Sequence, residues 1–132
     1  MTSIAGTWAL SHGLTTAPDG TALPPPYGAE KPMGRVVLTA EGRMMAVLCD
    51  GRKDLPPGAV REYTSYCGDY TFDGKTLITR VDAASDASRM GTDQVRQVTF
   101  DGDFMVLRPA DRTRDGQVEV RLLYWRKISD LA

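Results

Sequence analysis

The stretches GTW at Gly6-Thr7-Trp8 and YWRK at Tyr124-Trp125-Arg126-Lys127 decide the fold of this chain. The side chains around both stretches alternate between two faces, as in a β-strand, and further alternating segments lie between them. We predict that the first and last of these strands pair and close a barrel. Trp8 and Arg126 are assigned a structural role in this closure, because the guanidinium is expected to lie on the indole face.

Eight strands are predicted, and three of their connections are tight turns that contain glycine. The predicted strands are Gly6–Thr16, Gly34–Thr39, Arg43–Cys49, Tyr63–Phe72, Lys75–Asp82, Asp93–Phe100, Phe104–Arg108 and Gln117–Lys127. No helical pattern is long enough to cross between parallel strands, so the strands are expected to be antiparallel. Closure into an eight-stranded up-and-down β-barrel removes both sheet edges. A two-sheet sandwich is the alternative, although its crossovers need longer connections than most of these turns provide.

Three longer stretches lack strand periodicity and are predicted to be loops. Leu23–Gly28 contains three consecutive prolines, which favour an extended path without ladder donors. Asp50–Arg61 contains two prolines and two glycines, which interrupt any regular pattern. Ala83–Thr92 is polar and rich in small residues, and its pattern is too weak to predict a helix.

The composition is that of an ordinary globular domain, with 42% hydrophobic and 25% charged residues among 132. We expect residues 1–132 to form one all-β domain. The net charge of -1 favours neither nucleic acid nor an anionic membrane as a partner. No apolar stretch is long enough to span a membrane, and residues 1–5 lack the features of a signal peptide. A cytoplasmic location is therefore predicted.

Few residues of this chain are of the kinds that bind metals or cofactors. The two cysteines, Cys49 and Cys67, are expected to be free thiols in a reducing compartment. One histidine is too few for the usual zinc site, although haem needs only one axial histidine. No cofactor and no metal are predicted. A homodimer that packs the outer face of a sheet is compatible with so short a chain.

Several motifs, in this order and spacing, resemble the bacterial lipocalin-like domain proteins of the calycin group. The motifs are Gly6-Thr7-Trp8, the stretches 23–28, 34–44, 68–70 and 91–96, and the terminal Trp125-Arg126. The resemblance covers nearly the whole chain. It implies a small closed barrel whose internal cavity holds a small apolar or amphipathic molecule, and it does not identify that molecule.

The chain departs from the family pattern before Gly91-Thr92. The family often carries histidines near the positions of Thr79 and Arg80, followed by a loop with aromatic residues and proline. This chain has Ser85-Asp86-Ala87-Ser88-Arg89 in that loop. The resemblance therefore does not extend to an activity that depends on those groups.

The interior of an eight-stranded barrel is filled by side chains or holds one small ligand. The residues predicted to face inward are Trp8, Leu10, His12, Val36, Leu38, Met44, Ala46, Leu48, Tyr66, Gly68, Tyr70, Val98, Phe100, Met105, Leu107, Val120, Leu122 and Tyr124. Small residues beside large ones leave room for a ligand within a mainly apolar lining. The charged residues Glu119, Arg121 and Lys127 are assigned to a solvated outer face.

Arg96 is the most informative polar residue of the predicted interior. The alternation that turns Val98 inward also turns Arg96 inward. A buried guanidinium requires an acceptor, because an unpaired buried charge costs several kcal/mol. Either a neighbouring protein group or the anionic part of a ligand meets this requirement.

Four further side chains are predicted to contact the ligand, although each has a structural alternative. His12 serves as an acid, a base or a donor to the ligand, or is a satisfied core residue. Tyr66, Tyr70 and Tyr124 either point their hydroxyls into the cavity or only pack in the core. With Arg96, these tyrosines favour recognition of a carboxylate, phenolate or carbonyl group.

Tyr27 follows the stiff prolines and is the last predicted ligand-binding residue. It either covers the barrel mouth as a lid or pins its loop to the outside of the barrel.

Three interpretations of the function remain open at this stage. The first is the binding of a small apolar or amphipathic molecule inside the barrel. The second is a small-molecule enzyme of the cyclase, decarboxylase or isomerase type, in which His12, the tyrosines and Arg96 share the chemistry. A structural module with a filled interior is a third reading of the same pattern, which an exposed patch with Leu123 or Trp125 would favour. No serine nucleophile motif and no phosphate-binding loop is present.

Overall fold

The computed structural model describes residues 3–27 and 31–132. Its described residues form ten strands and one short 3-10 helix, Ala87–Arg89. The strands are β1 (Gly6–Thr16), β2 (Ala22–Leu23), β3 (Pro32–Leu38), β4 (Arg43–Asp50), β5 (Tyr63–Phe72), β6 (Thr76–Ala84), β7 (Asp93–Asp101), β8 (Phe104–Pro109), β9 (Arg112–Arg114) and β10 (Gln117–Ser129). Gly28, the last residue of the predicted proline-rich loop, lies outside the described residues. No helix among the described residues has the length and apolar character needed to cross a membrane.

The eight long strands form a closed antiparallel barrel, which confirms the predicted fold. They pair in chain order from β1 through β3 to β8 and then β10, and β10 pairs back with β1. The two remaining strands, β2 and β9, are only two and three residues long. They extend the ladders of β1 and β10 at one end of the barrel. The sequence pattern did not predict these short strands.

The turn between β9 and β10 shows why the hairpins form where they do. Asp115 and Gly116 have φ values of 52° and 79°. Two successive residues with positive φ are characteristic of the type I′ turn, whose twist matches that of the strands it joins. Asp-Gly is one of the residue pairs that tolerate this conformation best.

The last strand alternates as predicted, but the assignment of its two faces was wrong. Trp125 is 1% exposed and Glu119 is 7% exposed, so both lie on the inner face. Leu122 and Tyr124 lie on the opposite face, which points outward. Both faces of β10 carry apolar side chains, and alternation alone cannot select between them. The inward carboxylate of Glu119 is accommodated by Arg112, whose Nε donates to it at 2.6 Å.

An irregularity in β1 reverses the predicted orientation of His12. Leu10 pairs with Trp125, whereas His12 pairs with Tyr124, so the register shifts by one residue between them. Such a β-bulge places two residues of one strand opposite one of its partner. His12 and Tyr124 consequently share the outer face, and Gly13 continues the inner one.

The core occupies the barrel interior. Its buried apolar residues are Ile4, Trp8, Leu10, Val36, Leu38, Met44, Ala46, Leu48, Tyr66, Leu77, Val81, Val98, Met105, Leu107 and Trp125. Phe100 was predicted to belong to it and does not, because it is 44% exposed near the end of β7. Gly68 is required by close packing of strands, since a Cβ there would lie 1.8 Å from the carbonyl oxygen of Arg80.

The predicted contact between Trp8 and Arg126 is also wrong. The guanidinium of Arg126 lies 5.2 Å from the ring centre of Phe104. Lys127, the next residue, places its ammonium 5.2 Å from the ring centre of Trp8. The first and last long strands do pair as predicted, but a different basic residue meets the indole.

The two cysteines are free and too far apart to form a disulfide. In the ladder between β4 and β5, Cys49 pairs with Tyr63 and Cys67 pairs with Met45. The cysteines therefore lie four positions apart along the ladder, or about 13 Å at the usual rise of a strand. Disulfides require Cα atoms within about 7 Å.

Candidate functional site

A partly enclosed cleft lies at one end of the barrel, between the strands and the loops that follow β2 and β4. Its volume is about 60 Å³. Its apolar wall is formed by Leu48, Leu107, Leu123 and Trp125, its basic wall by Arg89, Arg96, Arg112 and Arg121, and its rim by Pro26, Tyr27 and Glu62. The cleft thus joins an apolar surface to a dense group of cations.

The arginines of the basic wall differ in their partners. Arg112 forms an ion pair with Glu119, with 2.6 Å between Nε and the carboxylate. Arg96 donates to two neutral oxygens, the backbone carbonyl of Val95 at 2.9 Å and the side chain of Gln94 at 3.1 Å. Within residues 3–27 and 31–132, Arg96 has no carboxylate partner at ion-pair distance. Arg96 lines the cleft, and its acceptors among the described residues are neighbouring protein groups.

Arg121 is the most perturbed of these arginines. Its Nη2 donates to the carbonyl of Ala110 at 2.9 Å, but its Nε is buried and has no hydrogen-bond partner among the described residues. Burial lowers the pKa of Arg121 to about 10, and repulsion from Arg112 and Arg96 adds to this effect. The guanidinium remains protonated at neutral pH, and no carboxylate of the described residues lies within ion-pair distance of it.

The indole N–H of Trp125 is the second buried donor in this lining that has no hydrogen-bond partner among the described residues. Its Nε1 forms no hydrogen bond with any described residue, and the side chain is almost completely buried. Buried indole N–H groups usually find an acceptor, because leaving one unpaired costs about 1–3 kcal/mol. A bound molecule with a suitably placed oxygen would remove this cost.

Tyr27 lies at the rim in a constrained backbone conformation. Its φ is 57°, in the left-handed region that non-glycine residues seldom occupy. Its backbone N–H donates to the carboxylate of Glu62, which ties the proline-rich loop to the segment before β5. Burial raises the pKa of the Tyr27 hydroxyl, and the nearby charge of Glu62 raises it further. The side chain packs against the core and lines the cleft.

Arg89 and Tyr66 face each other at the cleft. The Arg89 guanidinium carbon lies 5.7 Å from the ring centre of Tyr66, within the range of a cation–π contact. One Nη of Arg89 also lies 3.4 Å from the side-chain oxygen of Gln94. Tyr66 was predicted to be near the ligand, and it does line the cleft. Arg89 belongs to the short 3-10 helix in the stretch that was predicted to be a loop.

The structure brings together Tyr27, Tyr66 and Arg96 of the predicted ligand-binding residues. It does not bring His12, Tyr70 or Tyr124 to the cleft. His12 stacks on Tyr124 with 4.4 Å between ring centres, and both contact Phe104 on the outside of the barrel.

Tyr70 lies near the β3–β4 turn, away from the cleft. Its hydroxyl donates to the carbonyl of Thr39 at 2.6 Å, so this hydrogen bond anchors the turn.

Sequence reasoning missed most of the basic wall. Arg121 was assigned to the solvated outer face, and Arg112 was given no role. Glu62 lies beside a stretch that was predicted to be a loop. One signal was present in the sequence. Arg121, Leu123 and Trp125 alternate along β10, so an inward Trp125 implies an inward Arg121.

The fold defines an all-β protein built as a closed antiparallel barrel with a polar cleft at one end. The sequence profile of the lipocalin-like domain family matches residues 5–128, so the chain belongs to this family. No curated protein sequence and no solved structure matches the chain. The predicted family resemblance is confirmed, and the cleft must be interpreted from its own residues.

Proposed function

We propose that the cleft binds a small amphipathic molecule. The observation that carries this proposal is the contrast between its walls. Leu48, Leu107 and Leu123 offer apolar surface, while Arg96 and Arg121 offer charged donors without a carboxylate partner among the described residues. Ligand pockets commonly combine a mainly apolar lining with a few polar groups that orient the ligand.

The size of the cleft limits how such a molecule would lie. A volume of about 60 Å³ is well below the roughly 150 Å³ of an apolar cavity that holds benzene. The cleft therefore accommodates the polar end of a ligand and a short part of its chain. The rest of the chain would extend past Pro26 and Tyr27 at the rim.

Intrinsic fluorescence provides a direct test, because the chain has two tryptophans and Trp125 lines the cleft. In a Trp8→Phe background, titration with hexanamide and hexanoate should change the emission of Trp125 in a saturable way for at least one of them. Leu123→Phe should fill the cleft and abolish the change. Leu14→Phe is the matched control, since Leu14 is 47% exposed on the outer face of β1. Absence of a saturable change with both probes would refute the proposal.

The alternative proposal of a small-molecule enzyme has less support from the geometry. It relied on His12 as an acid or base, and His12 lies on the outer face. The pKa of Tyr27 is raised, which makes its hydroxyl a weaker acid at neutral pH. Because His12 is not among the residues that line the cleft, we place binding ahead of catalysis.

A further inference from the structure

We infer that the polar end of the ligand is a carboxylate, held in the cleft by Arg96 and Arg121. This inference rests on the proposed function, because it names the chemical class of ligand for the same cleft. It goes beyond the family membership, which identifies no ligand.

The charge balance of the lining is the first argument. Four arginines line the cleft, and Glu62 is the one carboxylate among its lining residues. Arg112 is paired with the buried carboxylate of Glu119. Glu62 accepts from the backbone of Tyr27 and lies 3.9 Å from Arg114, which is not part of the lining. Arg96 and Arg121 therefore retain a positive charge that no described carboxylate neutralises at ion-pair distance.

The buried donors are the second argument. Arg121 Nε and Trp125 Nε1 are the two buried side-chain nitrogens without a hydrogen-bond partner in the described part of the chain, and both residues line this cleft. Both groups donate and neither accepts. A bound group that only accepts, such as an ionised carboxylate, is the complement of such a wall. A guanidinium also matches the two oxygens of a carboxylate in shape.

The neighbours of the arginines favour a monocarboxylate with an apolar chain over a phosphate. Glu62 and the buried Glu119 lie close to the same wall, and a dianion would be repelled by both. Leu107 and Leu123 line the same cleft and would contact an alkyl or aryl chain next to the carboxylate. Inorganic phosphate offers nothing to this apolar surface, so we expect it to bind weakly.

Calorimetric titration of the full chain at neutral pH tests the head group. Hexanoate, hexanamide and inorganic phosphate serve as probes, since the first two differ mainly in charge. Hexanoate should bind about tenfold more tightly than hexanamide, as expected for a charge-assisted hydrogen bond. Phosphate should bind more weakly than hexanoate.

Substitutions assign the effect to the two arginines. Arg121→Gln and Arg96→Gln should each reduce the preference for hexanoate to about twofold or less, while binding of hexanamide changes little. Arg108→Gln is the matched control, because Arg108 is exposed and pairs with Asp111 outside the cleft. Circular dichroism establishes that each variant is folded, and the Arg96 variant keeps the test valid if loss of the Arg121 contact to Ala110 prevents folding.

Three results would each overturn the inference while the proposed function stands. One is equal affinity for hexanoate and hexanamide, and another is tighter binding of phosphate than of hexanoate. The third is an unchanged preference for hexanoate in both folded arginine variants. If neither hexanoate nor hexanamide binds, the proposed function fails together with the inference.

Discussion

Lys127 lies directly across the β1–β10 ladder from Trp8, with its ammonium 5.2 Å from the centre of the indole ring. The indole is also held by a hydrogen bond, because Trp8 Nε1 donates to the carbonyl of Ile4 at 3.0 Å. Trp8 therefore contacts both β10 and the segment before β1 at the seam where the barrel closes. This arrangement makes the seam a suitable place to test what stabilises the fold.

Replacement of Trp8 by alanine should strongly destabilise the protein. The side chain is buried, and its removal leaves a cavity at the seam and an unpaired carbonyl on Ile4. Truncations of this kind lower the free energy of unfolding by about 3–5 kcal/mol. Urea unfolding followed by circular dichroism measures the change, and a variant as stable as the wild type would contradict the assigned structural role.

Replacement of Lys127 by methionine should have a smaller and more local effect. Loss of the cation–π contact is expected to lower the free energy of unfolding by about 0.5–1 kcal/mol. In a Trp125→Phe background, the emission of Trp8 should also change. Arg126→Met is the matched control, because Arg126 contacts Phe104 instead. Equal changes of Trp8 emission in both variants would show that Lys127 has no specific effect on the indole.

Asp50 should make stability depend on pH under acidic conditions. Hydrogen bonds from the side chain and backbone of Arg52 lower the pKa of Asp50 to about 2, below its ordinary value of 3.8. A folded-state pKa below the unfolded one stabilises the protein above about pH 4. This contribution is lost as the pH falls from 4 towards 2.

Asp50→Asn should remove this dependence. Between pH 5 and 2, the free energy of unfolding should fall less steeply for the variant than for the wild type. Asp54→Asn provides the control, since Asp54 is exposed in the same loop. Identical pH profiles for wild type and Asp50→Asn would exclude this role for Asp50.

Tyr27→Gly should loosen the cleft without unfolding the barrel. Glycine adopts the positive φ of this position freely, so the backbone cost of about 1–2 kcal/mol disappears while the packing of the ring is lost. Hexanoate should dissociate several-fold faster from this variant in stopped-flow fluorescence. Tyr27→Phe keeps the ring and should release the probe at close to the wild-type rate. Unchanged release from Tyr27→Gly would show that Tyr27 does not cover the bound molecule.

The candidate site was less predictable than the strands. Tyr27, Tyr66 and Arg96 could be named because each stands out locally: a tyrosine after prolines, an aromatic on a strand, and a charge within an apolar alternation. Arg89 and Arg121 could not be found in this way. Arginines are abundant on surfaces, and only the packing of distant strands shows which of them share a wall.

The sequence by itself determined the strands, their antiparallel order and most of their turns, because these depend on alternation and on residues that tolerate positive φ. Asp115-Gly116 and the run from Gln117 are examples. Only the tertiary structure decided which faces point inward. Alternation has a period of two residues and defines two faces without showing which one points inward, and the bulge before His12 exchanges the two faces of β1. The pairing of β10 with β1 likewise places Lys127 opposite Trp8, and the inward face of β10 places Arg121 and Trp125 in the cleft.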